Sequence, residues 1–277
     1  METFASIIGS ISGWLYSYIL IALLIAAGLY FTVRTGFVQF RLLGESIRVI
    51  TEKRSDKDSI SSFQAALNAG YGIELDIHLM KDGNLAVIHD SSLKRTAGAD
   101  VHIEDLTLQD LERYHLLGSE EQIPLFEQVL QMYEGKAPLI VELKSVNNNY
   151  AALCQAACKL LDQYDCLYCL ESFDPRCIRW LRRHRPELVR GQLAENSLKT
   201  KSRLPLLLKV ILTFHISNVY NRPDFIAYKF ADRNSFATKI CRKLWKIQGV
   251  SWTLRNRESF DIAVQEEWIP IFEGFTA

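Results

Sequence analysis

From Ser59 onward, short apolar runs alternate with amphipathic segments to the end of the chain. Buried strands separated by helices are the repeat of a parallel sheet built from βα units. Seven main strand candidates follow this pattern: GIELDIHL, PLIVELK, CLYCLES, LVRGQL, DFIAYKF, GVSWTL and WIPIF, with a shorter one at LAVIH. The alternation therefore predicts an α/β fold with a largely parallel sheet.

The segments between the strands carry helix start and stop signals. SISSFQAALNAG begins with serine and ends at Gly70, and DPRCIRWLRRHR opens with Asp-Pro. A closed (β/α)8 barrel needs eight strands, but the basic linker TEKRSDKDS lies where a strand before the first helix would stand. We expect a TIM (β/α)8-type barrel that lacks its first strand.

The N-terminal part of the chain is apolar. No charged residue lies between Glu2 and Arg34, and Trp14 to Val33 supplies about the 20 apolar residues that cross a bilayer. A cleaved signal peptide is the alternative, but a basic start and a small-residue cleavage site are missing. We predict a transmembrane helix within residues 1–33, a basic juxtamembrane linker at 34–60 and a barrel domain at 61–277.

The orientation of this helix follows from the charges beside it. Glu2 alone precedes the helix, whereas five basic residues follow it closely: Arg34, Arg41, Arg48, Lys53 and Arg54. The positive-inside rule then predicts a single-pass protein of the cell membrane, with its N-terminus outside and its barrel in the cytoplasm.

The charge balance restricts the partners. Lys plus Arg and Asp plus Glu both number 32, so no overall field attracts nucleic acid. We expect no nucleic-acid partner. Cys166 and Cys169 form a CxxC inside an apolar run, which favours packed, reduced thiols over a zinc or redox site.

Three acids in the predicted strands could hold a cation. Glu74, Asp76 and His78 alternate along one strand and so face one side, and Glu142 lies in the next main strand with Lys144 two positions on. Acids facing an apolar interior need compensation, and oxygen ligands suit Mg²⁺ or Ca²⁺. A buried salt-bridge network with Lys144 explains the spacing equally well.

Two further features of the barrel region stand out. His89 ends the run LAVIHD beside Asp90, where an imidazole is well placed to transfer a proton. The run LPLLLKVILTFHI, at 204–216, contains Lys209 and is too short to span a bilayer. It predicts an amphipathic helix, for which packing on the barrel is favoured over contact with a membrane surface.

The combination of these motifs is specific. GIELDIHLMKDGNLAVIHDSSLKRTAG, a later VELK, SFDP before a helix, SWT and the closing IFEGF resemble the glycerophosphodiester phosphodiesterase family from about Ser61 to Ala277. The resemblance implies a TIM barrel in which Glu74, Asp76 and Glu142 bind a divalent metal. It also implies that His89 is the general acid for the leaving alcohol, that Lys144 faces the phosphate and that Trp252 lines the substrate mouth.

The chain departs from this family at its first motif. Family members begin with a strand ending in His-Arg-Gly, whose histidine is a catalytic acid/base and whose arginine grips the phosphate, but this chain has no histidine before His78. Instead, residues from about 10 to 66, including LYFTVRTGFVQFRLL and ISSFQA, resemble the opening of sodium/alanine symporters. A one-span fragment cannot enclose a transport site, so this resemblance implies a membrane helix only.

Two functions follow from these resemblances. The first is a membrane-anchored phosphodiesterase of lipid metabolism, which converts glycerophosphodiesters to glycerol phosphate and an alcohol with reduced activity. The second is a non-catalytic barrel, a pseudoenzyme or fusion fragment, that keeps metal or phosphodiester affinity without turnover.

Overall fold

The computed structural model describes residues 57–199 and 205–277. The predicted transmembrane helix at 1–33 and nearly all of the linker at 34–60 lie outside these residues. Within the two described ranges, every helix is too short or too polar to cross a bilayer.

Within the described residues, eight strands form one sheet, and all eight were predicted. They are β1 (Ile73–Leu79), β2 (Leu85–Val87), β3 (Leu139–Leu143), β4 (Tyr168–Ser172), β5 (Arg190–Ala194), β6 (Phe225–Lys229), β7 (Gln248–Leu254) and β8 (Trp268–Phe272). Their order is β2-β1-β3-β4-β5-β6-β7-β8, with β2 antiparallel to β1 and the other neighbours parallel. The chain thus forms a TIM-barrel-type sheet in which chain order and spatial order agree from β3 onward.

Helices connect the strands. They are α1 (Ile60–Asn68), α2 (Leu108–Leu111), α3 (Phe126–Tyr133), α4 (Tyr150–Leu161), α5 (Pro175–His184), α6 (Leu206–Thr213), α7 (Asn218–Asn221), α8 (Phe236–Lys239) and α9 (Arg257–Gln265). Short 3₁₀ turns at Ile103–Asp105 and Phe230–Asp232 and a π-turn at Ile240–Leu244 complete the connections. The predicted caps are confirmed, because Ser59 accepts a hydrogen bond from Ser62 N and Asp174 accepts one from Arg176 N.

The main core lies between the first strands and their helices. Leu75, Val141 and Leu170 project from β1, β3 and β4 and are fully buried, as is Phe126 of α3. The apolar side of these strands is therefore packed, and their alternate residues face the barrel interior.

The sheet is open in the described part of the chain, where β8 pairs with β7 alone. Across this open side, the Tyr71 hydroxyl donates a hydrogen bond to the carbonyl oxygen of Ala277 at 3.1 Å. The Tyr71 ring also lies edge-on to Phe272, with centroids 5.3 Å apart. The residue before β1 thus contacts the segment that begins with β8.

Candidate active site

The register of the sheet places acidic side chains in one row. Asp76 of β1 is level with Glu142 of β3, and Glu142 is level with Glu171 of β4. Glu74 lies two residues before Asp76 and faces the same side. Carboxylate oxygens of Glu74, Asp76 and Glu142 all lie within 4.8 Å of one another, so the structure brings the three predicted metal ligands together.

Two lysines neutralise part of this negative charge. Lys144 Nζ lies 2.8 Å from Glu142 Oε1 and 2.9 Å from Asp76 Oδ1. Lys57 Nζ approaches the other oxygen of Asp76 at 3.6 Å and Asp58 at 3.9 Å. The salt-bridge network that the spacing allowed is therefore present, but it engages only part of the acidic group.

The pKa values reflect this competition between burial and charge. Burial, with Asp76 nearby, raises the pKa of Glu74 well above its usual range. Burial also raises the pKa of Glu142 to about 8, although Lys144 opposes the shift. Burial acts the same way on Asp76, but the charges of Lys144 and Lys57 outweigh it and lower the pKa of that carboxyl group. The site thus has more carboxyl groups than its two lysines can keep ionised.

Glu171 is a fourth acid that we did not single out in the sequence. It is 1% exposed, lines the same cavity, and its Oε2 has no hydrogen-bond partner in the described part of the chain. Burial and the neighbouring carboxylates raise its pKa well above the usual value. The sequence signal was available, because an acid in the apolar strand CLYCLES obeys the argument that was applied to Glu74 and Glu142.

His89 lies beside this cluster at the end of the β1–β2 hairpin. Its Nδ1 is 2.7 Å from Asp90 Oδ1, and the Arg95 guanidinium pairs with the other Asp90 oxygen at 2.5 Å. Hydrogen bonding from Arg95, aided by His89, lowers the pKa of Asp90 to about 2. An ionised Asp90 therefore orients the imidazole, and the backbone amide of His89 donates to Asp58 Oδ2 at 3.0 Å.

A buried network supports the His89 loop from behind. His78 is 2% exposed, its Nδ1 lies 2.6 Å from Glu104 Oε1, and its Nε2 lies 3.4 Å from the carbonyl oxygen of His89. The Ser91 hydroxyl donates to Glu104 at 2.7 Å and lies 3.0 Å from His102 Nδ1. His78 therefore has structural contacts here.

The acidic cluster, the two lysines, His89 and Asp90 line one cavity of about 480 Å³. Its apolar wall comes from the other strands, with Trp252 of β7 meeting Phe173 edge-to-face at 5.7 Å. All six predicted site residues line it: Glu74, Asp76, His89, Glu142, Lys144 and Trp252. Lys57, Arg95, Glu171 and Arg255 also line it, and we had assigned Lys57 to the linker.

The donor set suits a hard divalent cation. Three carboxylates from adjacent strands offer oxygens within reach of one ion, and Glu171 adds an unpartnered buried oxygen to the same cavity. Carboxylate oxygens are the ligands preferred by Mg²⁺ and Ca²⁺. The residues present therefore fit a metal site of this class.

Comparison with known families gives two matches. The model of the glycerophosphoryl diester phosphodiesterase family matches residues 51–272. The model of the sodium:alanine symporter family matches residues 1–71. The first match covers every strand and helix described above.

Curated relatives share parts of the chain. A glycerophosphodiester phosphodiesterase from Caldanaerobacter subterraneus is 29% identical over 156 residues, which is 53% of this chain and 64% of that protein. One from Bacillus altitudinis is 35% identical over 102 residues, covering 34% of this chain and 41% of the relative. Lysophospholipase D GDPD1 from Rattus norvegicus is 31% identical over 121 residues, covering 39% and 37%. The chain thus spans less than two thirds of each of these relatives.

Solved structures share the fold. A glycerophosphodiester phosphodiesterase from Parabacteroides distasonis superposes with a TM-score of 0.63 at 20% identity, covering 80% of this chain and 87% of that one. A phosphodiesterase from Oleispira antarctica, solved with the product sn-glycerol-3-phosphate, gives 0.64 at 16% identity, covering 79% and 87%. At these identities the likeness is one of fold.

Proposed function

The chain belongs to the glycerophosphoryl diester phosphodiesterase family, and on that premise we propose that it hydrolyses glycerophosphodiesters to glycerol phosphate and an alcohol. The observation that carries the proposal is the meeting of Glu74, Asp76 and Glu142 within 4.8 Å, in a cavity that also contains His89 and Lys144. The cavity volume of about 480 Å³ is within the range of small-molecule sites.

The three carboxylates would hold Mg²⁺ or Ca²⁺. A bound divalent ion would polarise the phosphoryl oxygens and help to activate water. Lys144, which touches Asp76 and Glu142, and Lys57, on the far side of Asp76, would place two positive charges beside a phosphodiester. Trp252 and Phe173 would contact the apolar part of the substrate.

His89 would protonate the departing alcohol. Asp90 accepts from Nδ1, so Nε2 is the nitrogen that can donate a proton to the leaving oxygen. Asp90 stays ionised at neutral pH, since its pKa is about 2, and so keeps accepting from Nδ1. In this role the dyad of His89 and Asp90 performs general acid catalysis.

The missing His-Arg-Gly strand predicts a slower enzyme. The described residues place one histidine, His89, in the cavity, and loss of a proton-transfer partner costs about 10²–10⁴-fold. We propose that the barrel lacks its first strand, which agrees with the open side between β8 and the β2–β1 hairpin, and that the enzyme keeps reduced activity.

We also propose a place in the cell. A single transmembrane helix within residues 1–33 would anchor the protein in the cell membrane, with the N-terminus outside and the barrel, residues 61–277, in the cytoplasm. There the barrel would act on glycerophosphodiesters released by lipid turnover. The charge asymmetry around the apolar segment supports this orientation.

The test is hydrolysis of glycerophosphocholine by the full chain in detergent. We expect glycerol phosphate to form when Mg²⁺ or Ca²⁺ is present, and we expect Glu74→Ala or a chelator to abolish it. Product formation no faster than with metal ions alone would remove the enzymatic proposal.

A second candidate is a non-catalytic barrel that binds metal or phosphodiester, and the missing first motif favours it. Calorimetry that detects metal binding to a chain without turnover would select this function. Restoring a His-Arg-Gly strand before Ser61 separates the two candidates further, because a disarmed but sound barrel should gain activity.

A further inference from the structure

Helix α6 is apolar apart from Lys209 and Thr213, yet its first turn is exposed and most of the rest is only half-buried. Its sequence is LLLKVILT, and Thr213 is its one buried residue. Leu206 and Leu207 are 72% and 73% exposed. A helix that is apolar all round is normally buried in protein or in lipid, and the described residues of this chain do not bury it.

A second segment, residues 236–246, also exposes large apolar side chains. Phe236 at the start of α8 and Leu244 at the end of the π-turn are both more than 70% exposed, and Trp245 next to it is nearly half exposed. Lys239, Lys243 and Lys246 are exposed in the same segment. Large apolar side chains interleaved with lysines are typical of a surface that enters a lipid interface.

The two segments are neighbours. The rings of His215, which follows α6, and Tyr228 of β6 lie 5.2 Å apart. Asn218 lies close enough to the Cys241 thiol in the π-turn to oppose the rise in its pKa that burial causes. Because these contacts join 215–218 to 228–241, the exposed apolar residues of 206–220 and 236–245 belong to one region of the surface. We call it the apolar-basic surface.

Charge on this region is one-sided. No Asp or Glu occurs between Glu195 and Asp224, or between Asp232 and Glu258. The 53 residues of these two stretches contain 12 of the 32 basic residues and none of the 32 acidic ones. Four of these basic residues pair with acids outside the stretches, as Lys199–Asp232, Arg233–Glu266, Arg255–Glu273 and Arg257–Asp261. In the described part of the chain, Lys239, Lys243 and Lys246 are exposed and lie in no salt bridge, so they give this surface a local attraction for anions.

We propose that the apolar-basic surface docks the barrel onto an anionic lipid surface. Leu206, Leu207, Phe236, Leu244 and Trp245 would enter the interface, and Lys239, Lys243 and Lys246 would contact lipid headgroups. This contact is separate from the predicted helix at 1–33 and goes beyond the proposed reaction.

The test uses the full chain in nanodiscs and measures amide hydrogen exchange. Discs of phosphatidylcholine alone are compared with discs that also contain phosphatidylglycerol. Each lysine near an anionic surface strengthens attraction by about fivefold, so exchange in 206–213 and 236–246 should slow by at least about fivefold in the anionic discs. Segments around Leu167 and Val189, which are exposed apolar residues outside this surface, should not change.

A matched pair of variants separates docking from general effects. Leu207 is 73% exposed and Leu167 is 74% exposed, so glutamate costs each site little in folding. Leu207→Glu and Lys243→Glu should remove the anionic protection, whereas Leu167→Glu should keep it. Equal exchange in both kinds of disc would overturn the proposal, as would protection that survives Leu207→Glu. Hydrolysis of soluble glycerophosphocholine is a separate readout, so failure of the proposed reaction is distinguishable.

Discussion

The two halves of the sheet differ in chemistry. All four acids within the strands lie in β1, β3 and β4, as Glu74, Asp76, Glu142 and Glu171, while β5, β6, β7 and β8 contain none. The connections after β5 and β6 instead contain long stretches without an acid, residues 196–223 and 233–247, with exposed apolar and basic side chains. The buried acids and the exposed apolar and basic residues thus belong to different halves of the sheet.

The two halves of the sheet also differ in which of their side chains are in an unfavourable environment. In the acidic half, carboxylates are buried together, which is unfavourable unless a cation compensates them. In the basic half, apolar side chains are left in water, which is unfavourable unless a partner covers them. Each half is therefore expected to be stabilised by a different ligand: a cation for the buried acids and a covering partner for the exposed apolar side chains.

The largest effect is expected from Glu142→Gln, which removes one acid from the centre of the row. Loss of a ligand should abolish tight Mg²⁺ or Ca²⁺ binding and reduce hydrolysis to the metal-free background, because a bound ion supplies several kcal/mol of transition-state stabilisation. Calorimetry and product analysis would measure both. The matched control is Glu273→Gln, since Glu273 lines the same cavity but pairs with Arg255. Equal losses in the two variants would contradict the division.

Replacement of His89 tests the proton-transfer role beside the acidic row. His89→Asn should lower kcat/KM on glycerophosphocholine by about 10²–10⁴-fold, because the choline alcohol leaves only with a proton. A p-nitrophenyl phosphodiester needs no such help, so its hydrolysis should fall much less. Similar losses on both substrates would assign His89 to binding rather than acid catalysis.

His215 tests the stability of the basic half. Burial lowers its pKa to about 4 from the usual 6.5, and neither ring nitrogen has a hydrogen-bond partner in the described part of the chain. Between these two pH values the unfolded chain binds a proton that the folded chain rejects. The stability that depends on a neutral His215 is therefore fully present above pH 6.5 and is lost as the pH falls to about 4. The free energy of unfolding should fall by about 3 kcal/mol over this range.

Denaturant titrations of the full chain in detergent, from pH 7.5 to 4, would measure this loss. His215→Gln should flatten the pH dependence in that window, whereas replacing the exposed His184 with glutamine should leave it unchanged. An unaltered slope in the His215 variant would show that other groups cause it.

The smallest effect is expected at Lys57, which enters the acidic half from outside the sheet. Its side chain is 46% exposed, so loss of a charge-assisted contact to phosphate should lower kcat/KM by about tenfold in Lys57→Ala. Lys57→Arg should recover most of the activity, because it keeps the charge. If Lys57→Ala equalled the parent chain, Lys144 alone would provide the phosphate contact.

Much of the site was predictable from the strands. The alternation of side chains in GIELDIHL placed Glu74 and Asp76 on one face, and the parallel-sheet pattern placed Glu142 on the neighbouring strand. The structure confirms that these residues meet and that Lys144 joins them. Glu171 follows the same alternation in β4, so the sequence also contained the information needed to predict it.

Other features had no local signal. Lys57 reaches Asp76 only because the segment before α1 folds back over β1, and a linker composition does not encode that contact. The support of His89 by His78, Glu104 and Asp58 likewise joins residues far apart in the chain. Such contacts depend on how loops cross the sheet edge.

The sequence alone determined the order of strands and helices and the face on which each acid lies, because both follow from local periods of two and 3.6 residues. The tertiary structure decided which strands stand side by side and at what register, and so brought Asp76, Glu142 and Glu171 level. In the described part of the chain it also left Leu206 and Leu207 of α6 exposed, although the sequence favoured packing of this helix on the barrel. Local periodicity sets the direction of a side chain, whereas its neighbours depend on packing between distant parts of the chain.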